Sequence, residues 1–428
     1  MEVVENKKLD IKVYKETLDN GCQVIIIPRK DRKRKYIIWA TKYGSIDSNF
    51  IDPTTNQEMH VPDGVAHYLE HKMFEQENGV DSLYKMMSLG LNANAYTTTD
   101  HTAYLFSCSE NFYEGLDELM DYFQHPYFTD ENVEKERGII GQEIQMYDDD
   151  PEWSLYINTL RCLYKNNPVR LDTAGTIETI SHITKETLYS CYNTFYHPSN
   201  TIMCVSGDFE PNELLEEIKK RMLPREKQSE IKRIYPEYEN DINQKYIEAK
   251  KDVNMPIFMA GYRDFSKTEI NGTSLEKAKR DITVKMILDM LVGGCSDVYQ
   301  KLYNEGLVKT EMQYAYETSD EYAHVVVQGE SKEPQKVYDQ IVDALQNNEF
   351  TEADFERTKK KAYGENVYDY DDVIAIGRTY INTAIQGIDA LDYITALNEI
   401  DYEYAKKVRE EIFKKDKAVL SVVKPNEG

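Results

Sequence analysis

Three residues within Gly64 to Glu75, GVAHYLEHKMFE, could do chemistry together: His67, Glu70 and His71. They spell H-x-x-E-H. On a helix, side chains four residues apart project from one face, so both imidazoles can reach a single tetrahedral zinc ion. Glu70 shares that side and can take a proton from water at the ion's open position, which is how a metal site makes a nucleophile near neutral pH. The pattern predicts metal-assisted hydrolysis. A five-residue match can also be a helix whose histidines cap or pack, so other residues must decide.

A zinc site of this kind needs a third protein ligand. The acidic segment EKERGIIGQEIQMYDDDP offers Glu136 and Glu143, two helical turns apart and so on one face. In a chain this acidic a lone glutamate is ordinarily a solvated surface residue. Ile139, Ile140, Ile144 and Met146 predict that this helix packs, which singles out the face the two glutamates share.

The elements that position these residues can be read from periodicity. Cys22 to Pro28 and Tyr36 to Thr41 read as two strands of a hairpin joined by the basic turn KDRKRK and preceded by the turn signal Asp19-Asn20-Gly21. His67 to Gln76 and Val80 to Leu89 read as helix, stopped by Gly90. Ala93 to Ser107 alternates as two strands, followed by helices over Glu110 to Phe123 and Asp130 to Tyr147. A strand over Asn200 to Asp208 and a helix over Pro211 to Met222 close a first half, residues 1–222. Residues 223–243 are polar and broken by two prolines, as a linker would be. In 244–428 the order repeats loosely: a strand near Ile257 to Tyr262, a long helix from Leu275 to Leu291, strands around Glu311 to Gly329, then helices.

Composition bounds the rest. A chain of 428 residues suits two domains or two large halves. Its formal charge of -25 repels nucleic acid and anionic membrane surfaces and serves solubility. The six cysteines are scattered without paired spacing, the amino terminus lacks an apolar h-region, and no apolar run is long enough to span a bilayer, so a cytoplasmic protein is expected. His101, His125, His182 and His197 share no ligand spacing and read as structural. Gly293-Gly294 is not followed by a lysine and forms no P-loop.

Along almost its whole length the chain resembles the pitrilysin/insulinase family of zinc peptidases, which includes the mitochondrial processing peptidases. The features occur in order: Leu18 to Gly21, Gly44-Ser45, the H-x-x-E-H helix with Met73-Phe74, and the strand Asn94-Ala95-Tyr96-Thr97. The glutamate helix ending at Asp150-Pro151, Gly175 with Ile177, and Tyr196 to Phe209 follow. The resemblance implies an α+β fold of two related halves, each a mixed, mainly antiparallel sheet packed against helices. It makes His67 and His71 zinc ligands, Glu143 the third ligand, Glu70 the general base, and Glu136 an acidic support for the site, with one zinc per chain. It also implies that the strand at Asn94 and Ala95 takes substrate backbone as an added strand.

The second half departs from that pattern. Relatives carry a serine, a leucine-arginine-glutamate run, then a glycine and tyrosine that hold substrate; here Ser296 is followed by LYNEGLV, with Tyr303 in the arginine's place and Tyr314 or Tyr316 as the tyrosine. Small family members pair two chains into a clam-shaped chamber, so the expected partner is a related chain, in a heterodimer that supplies the clamp or in a homodimer. The expected function is zinc-dependent endoproteolysis of peptides or unstructured precursor segments. The alternatives are a noncatalytic assembly subunit with this fold and a dedicated precursor-maturation protease.

Overall fold

The computed structural model describes residues 1–7, 9–30, 32–266 and 271–426. They form two compact units, and neither is a continuous half of the chain. The first comprises Met1–Ile144, Asp172–Ile234 and Val367–Ile385; the second comprises Gln145–Leu171, Tyr235–Asn366 and Gln386–Gly428. Each unit therefore contains a helical segment from the other half of the sequence. Among the described residues no helix is long and apolar enough to cross a membrane.

The first unit is built on a seven-stranded sheet in the order β1-β2-β3-β9-β4-β8-β7. In chain order these strands are Glu2–Asn6 (β1), Ile11–Thr17 (β2), Gln23–Pro28 (β3), Lys35–Thr41 (β4), Asn92–Thr97 (β7), Thr102–Cys108 (β8) and Thr201–Gly207 (β9). Two short strands, Asn49–Ile51 (β5) and Glu58–His60 (β6), form a separate small sheet. Asp19-Asn20-Gly21 does make a turn, with the Gly21 N–H donating to the Leu18 carbonyl, but it joins β2 to β3.

The expected hairpin between β3 and β4 is corrected. β9 lies between them, parallel to β3 and antiparallel to β4. The seven residues of β9 are all buried, and a strand so apolar belongs in the middle of a sheet covered on both faces. Asp31 of the expected basic turn lies outside the described residues.

Alternation along β4 shows the two covers. Trp39 stacks on Phe123 of the helix Phe112–Gln124 with ring centroids 3.8 Å apart. Tyr36, on the opposite face, meets Gly377 of the helix Val373–Ile385, where an added Cβ would come within 2.6 Å of the ring. That glycine permits the close approach of helix to sheet.

The second unit has a five-stranded sheet in the order β11-β15-β12-β14-β13. Its strands are Tyr246–Lys251 (β11), Ile257–Arg263 (β12), Gln313–Thr318 (β13), Ala323–Glu330 (β14) and Ala418–Pro425 (β15), all antiparallel except β11 with β15. The helix Pro151–Leu163 packs on β12 and β15, as Val373–Ile385 packs on β4 and β9 in the first unit. The helix Ser274–Val292, buried nearly all round, joins Pro334–Asn347 and Tyr402–Ile412 in the main core. The fold is thus α+β with two related halves, each a mixed sheet packed against helices.

One of the points at which the chain passes between the units falls at Ile234 and Tyr235. Lys232–Arg233 (β10) adds a strand to β5, and Arg233 bonds Asp47 at 2.9 Å.

Candidate metal centre

The H-x-x-E-H segment forms the helix Val65–Lys72 (α1), and seven of its eight residues are buried. Gly64 precedes it with φ 93, and an added Cβ there would sit 2.4 Å from the Ala174 carbonyl oxygen. Gly175, with φ 76, leans back on Asp63 just as closely, so the two glycines set where α1 begins. The following helix, Ser82–Ser88 (α2), starts at an Asp81 cap and ends before Gly90 with φ 80.

His67 and His71 project from one face of α1 with ring centroids 4.6 Å apart. Across from them runs the helix Asp130–Asp149, designated α4 because α3 is Phe112–Gln124. It presents Glu136 and Glu143 to the histidines, as their two-turn spacing predicts. His71 Nδ1 lies 3.1 Å from Glu136 Oε1, and His71 Nε2 lies 3.3 Å from Glu143 Oε2. His67 Nε2 lies 3.7 Å from Glu143 Oε1. Ligand atoms of His67, His71 and Glu143 all fall within 4.8 Å of one another.

These residues fit a zinc ion. Ligands at about 2.0–2.1 Å on a tetrahedral ion stand roughly 3.3 Å apart, close to the separations seen here. His67 Nδ1 is buried without a hydrogen-bond partner, so the polar contact of that ring is on the Nε2 side facing Glu143. Burial, with His71 close by, holds the His67 pKa down at about 4, so the ring is neutral as a ligand must be. For His71, burial lowers the pKa, but hydrogen bonds to Glu136 and Glu143 outweigh it and raise the value to about 9. Glu136 is likewise opposed by burial, yet His71 and Lys72 keep its pKa below the usual value.

Glu70 is 9 % exposed and stands beside this group. Thr97, at the end of β7, donates a 2.6 Å hydrogen bond to its Oε2. Burial raises the Glu70 pKa, and the Thr97 bond works against that rise. Asn94 and Ala95 lie on β7, the outer strand of the seven-stranded sheet, with β8 on its inner side. The Asn94 side chain is exposed, and its Oδ1 accepts from the Ala95 N–H at 2.9 Å.

Other expectations divide. The helix α4 packs as expected, through buried Ile140 and Ile144, while Ile139 and Met146 are 48% and 60% exposed. His101 bonds Asp100 and Thr98 in the turn after β7, His125 pairs with Asp121, His182 ends a short helix, and His197 caps a 3-10 turn. Ser296 caps the helix Asp297–Asn304, while Tyr303 stands 53% exposed on it. Tyr316 donates to buried Asp264 and Tyr314 to Asp289. Sequence reasoning gave no role to Thr97 or Lys72. Thr97 stood at the end of the quoted strand motif, whereas nothing in the sequence marks Lys72 as buried.

An H-x-x-E-H helix facing a carboxylate-bearing helix, beside the outer strand of a mixed sheet, places this chain among zinc-protease-like folds. Residues 56–177 match insulinase (peptidase family M16), and residues 182–362 match the peptidase M16 inactive domain. Over 426 residues the chain is 34% identical to YmfH of Bacillus subtilis, an uncharacterized zinc protease, covering 99% of each. A crystal structure from Alicyclobacillus acidocaldarius described as M16-like superposes with a TM-score of 0.92 at 33% identity, over 99% of this chain and 100% of that one. Pitrilysin shares the fold with a TM-score of 0.74 at 17% identity, and this chain covers 47% of it. The protein belongs to the insulinase family, peptidase family M16.

Proposed function

We propose that the protein is a zinc-dependent endopeptidase acting on peptides or unstructured segments, with one zinc ion per chain held by His67, His71 and Glu143. The observation that carries this reading is the convergence of those three side chains beside a buried Glu70. A zinc ion there would supply Lewis-acid polarisation of a carbonyl and a lowered pKa for water. Glu70 acts as general base: Thr97 fixes its Oε2, and proton transfer falls to Oε1. Its raised pKa suits a group that takes a proton and later gives it to the leaving amine. Glu136 holds His71 through Nδ1 and so sets which ring nitrogen turns toward Glu143.

The outer position of β7 supports binding of an extended substrate at Asn94 and Ala95 by main-chain hydrogen bonds. Such binding selects unfolded peptide over folded protein. Tyr303 in place of the arginine supports pairing with a related chain that completes the chamber, as a heterodimer or a homodimer. All six cysteines are free thiols and five are buried, which suits a reducing compartment, and we place the protein in the cytoplasm.

The test is metal analysis of the purified protein with a peptide-cleavage assay, alone and with chains that copurify from its source. One zinc per chain, and cleavage of unstructured peptides but not folded proteins, is expected. Bound zinc without turnover in the presence of every copurifying chain would instead make it a noncatalytic assembly subunit.

A further inference from the structure

Lys72 follows the metal-facing His71 and is fully buried, with none of its side chain exposed. A buried ammonium is costly unless paired, and Lys72 has two carboxylates. Its Nζ lies 2.5 Å from Glu75 Oε2 and 3.6 Å from Glu136 Oε2. The two oxygens of Glu136 are thereby divided: Oε2 faces Lys72, while Oε1 meets His71 Nδ1 at 3.1 Å. A carboxylate with an ammonium beside one oxygen and an imidazole on the other is restrained from turning away from the ring.

The same division of labour runs along α1. His67 and His71, four residues apart, face the metal position; Tyr68 and Lys72, one residue further on, both reach α4. Tyr68 donates its hydroxyl proton to the Val133 carbonyl, and Lys72 forms an ion pair with Glu136 one turn beyond Val133. Two contacts thus fix the register of α1 against α4, and one of them runs through the carboxylate that orients His71.

We propose that Lys72 is a positioning residue for the metal centre: its buried ammonium fixes the Glu136 carboxylate against His71 Nδ1 and so turns His71 Nε2 toward Glu143 and the metal. The assignment rests on the reading of His67, His71 and Glu143 as metal ligands. Lys72 touches neither metal nor substrate, so its effect passes through Glu136. Groups that orient a metal-bound histidine typically change metal affinity by about 10–100-fold when removed.

The experiment measures zinc affinity of the full-length chain by competition with a chelator, on Lys72→Met, Glu136→Gln, the double variant and Glu75→Gln. Each variant is checked for folding by circular dichroism. Lys72→Met and Glu136→Gln are each expected to weaken zinc binding about tenfold or more. The double variant should bind no worse than Glu136→Gln alone, because Lys72 acts only through that carboxylate. Glu75→Gln removes the other partner of Lys72 and should keep affinity close to wild type.

Wild-type affinity in folded Lys72→Met, multiplied losses in the double variant, or an equal loss in Glu75→Gln would each overturn the assignment. Lys72→Gln is judged by the same criteria should the methionine variant fail to fold. Failure of the wild-type chain to bind zinc would overturn the metal reading along with this one, a pattern distinct from a defect confined to Lys72.

Discussion

Thr97 Oγ1 donates to Glu70 Oε2 at 2.6 Å, tying the end of β7 to the carboxylate on the metal helix. The strand proposed to take substrate therefore also holds the proposed base. Thr97→Val keeps the shape and deletes the donor. Since that bond opposes the burial that raises the Glu70 pKa, its loss should move the pKa further up. The acidic limb of kcat/KM against pH is expected to shift to higher pH, with zinc content unchanged. An unshifted limb would separate Glu70 from the titration that controls rate.

Glu70 and His71 should part company under substitution. Glu70→Gln is expected to keep stoichiometric zinc and lose peptide cleavage, because the amide cannot take the proton. His71→Ala should lose both, since it removes a proposed ligand and leaves Glu136 without its imidazole partner. Metal analysis alongside the cleavage assay checks the pair, and full activity in Glu70→Gln would sink the mechanism.

How much of this was legible in the sequence depends on how local each cause is. His67, Glu70 and His71 fall within one helix, and Glu136 and Glu143 within another, so helical periodicity alone places each set on a face. Successive strands β3 and β4 have the sequence signature of a hairpin, but β9, far later in the chain, inserts between them. The strands β11 and β15 carry little local signal for a similar reason, since each is defined by a partner distant in sequence, whereas the helix Pro151–Leu163 does open on a local Asp150 cap and Pro151. Ile139 and Met146 have the apolar character of packed residues, yet periodicity cannot say what covers a face. Lys72 is the opposite case. A lysine reads as surface, and only the placement of Glu75 and Glu136 makes its burial affordable.

Ala95 offers a test of strand addition. Its N–H bonds the Asn94 side chain rather than β8, so it points to the open side of β7. Proline is tolerated on an edge strand where the lost N–H faces outward. Ala95→Pro is accordingly expected to fold and keep zinc while raising the KM for unstructured peptides several-fold, as one main-chain donor is removed. Steady-state kinetics with metal analysis reads this, and an unchanged KM would move the substrate away from β7.

The second unit should be separable from the metal centre in its energetics. Asp264, fully buried, takes two hydrogen bonds from Arg280 at 2.6 and 2.8 Å and a third from Tyr316 at 2.8 Å. Removing one member of a buried ion pair leaves the other charge unsatisfied, at a typical cost of about 3–5 kcal/mol. Asp264→Ala should lower unfolding stability in urea by that order and leave the zinc affinity of the folded protein unchanged. A loss under about 1 kcal/mol would mean that Glu411, 2.9 Å from Arg280, compensates on its own.

Metal binding should carry a proton signature. In the metal-free protein the His71 pKa is raised to about 9 by its carboxylate partners against the effect of burial, so near pH 7.5 the ring is protonated. A ligand nitrogen must be deprotonated, and zinc therefore has to displace that proton. His67, held down at about 4, has none to give. About one proton should leave per zinc bound, and affinity should rise close to tenfold per pH unit until the pH reaches the His71 pKa. Titration calorimetry in buffers of different ionisation enthalpy measures the count directly. Release near zero at pH 7.5 would mean that His71 is already neutral, and that Glu136 and Glu143 orient the ring without charging it.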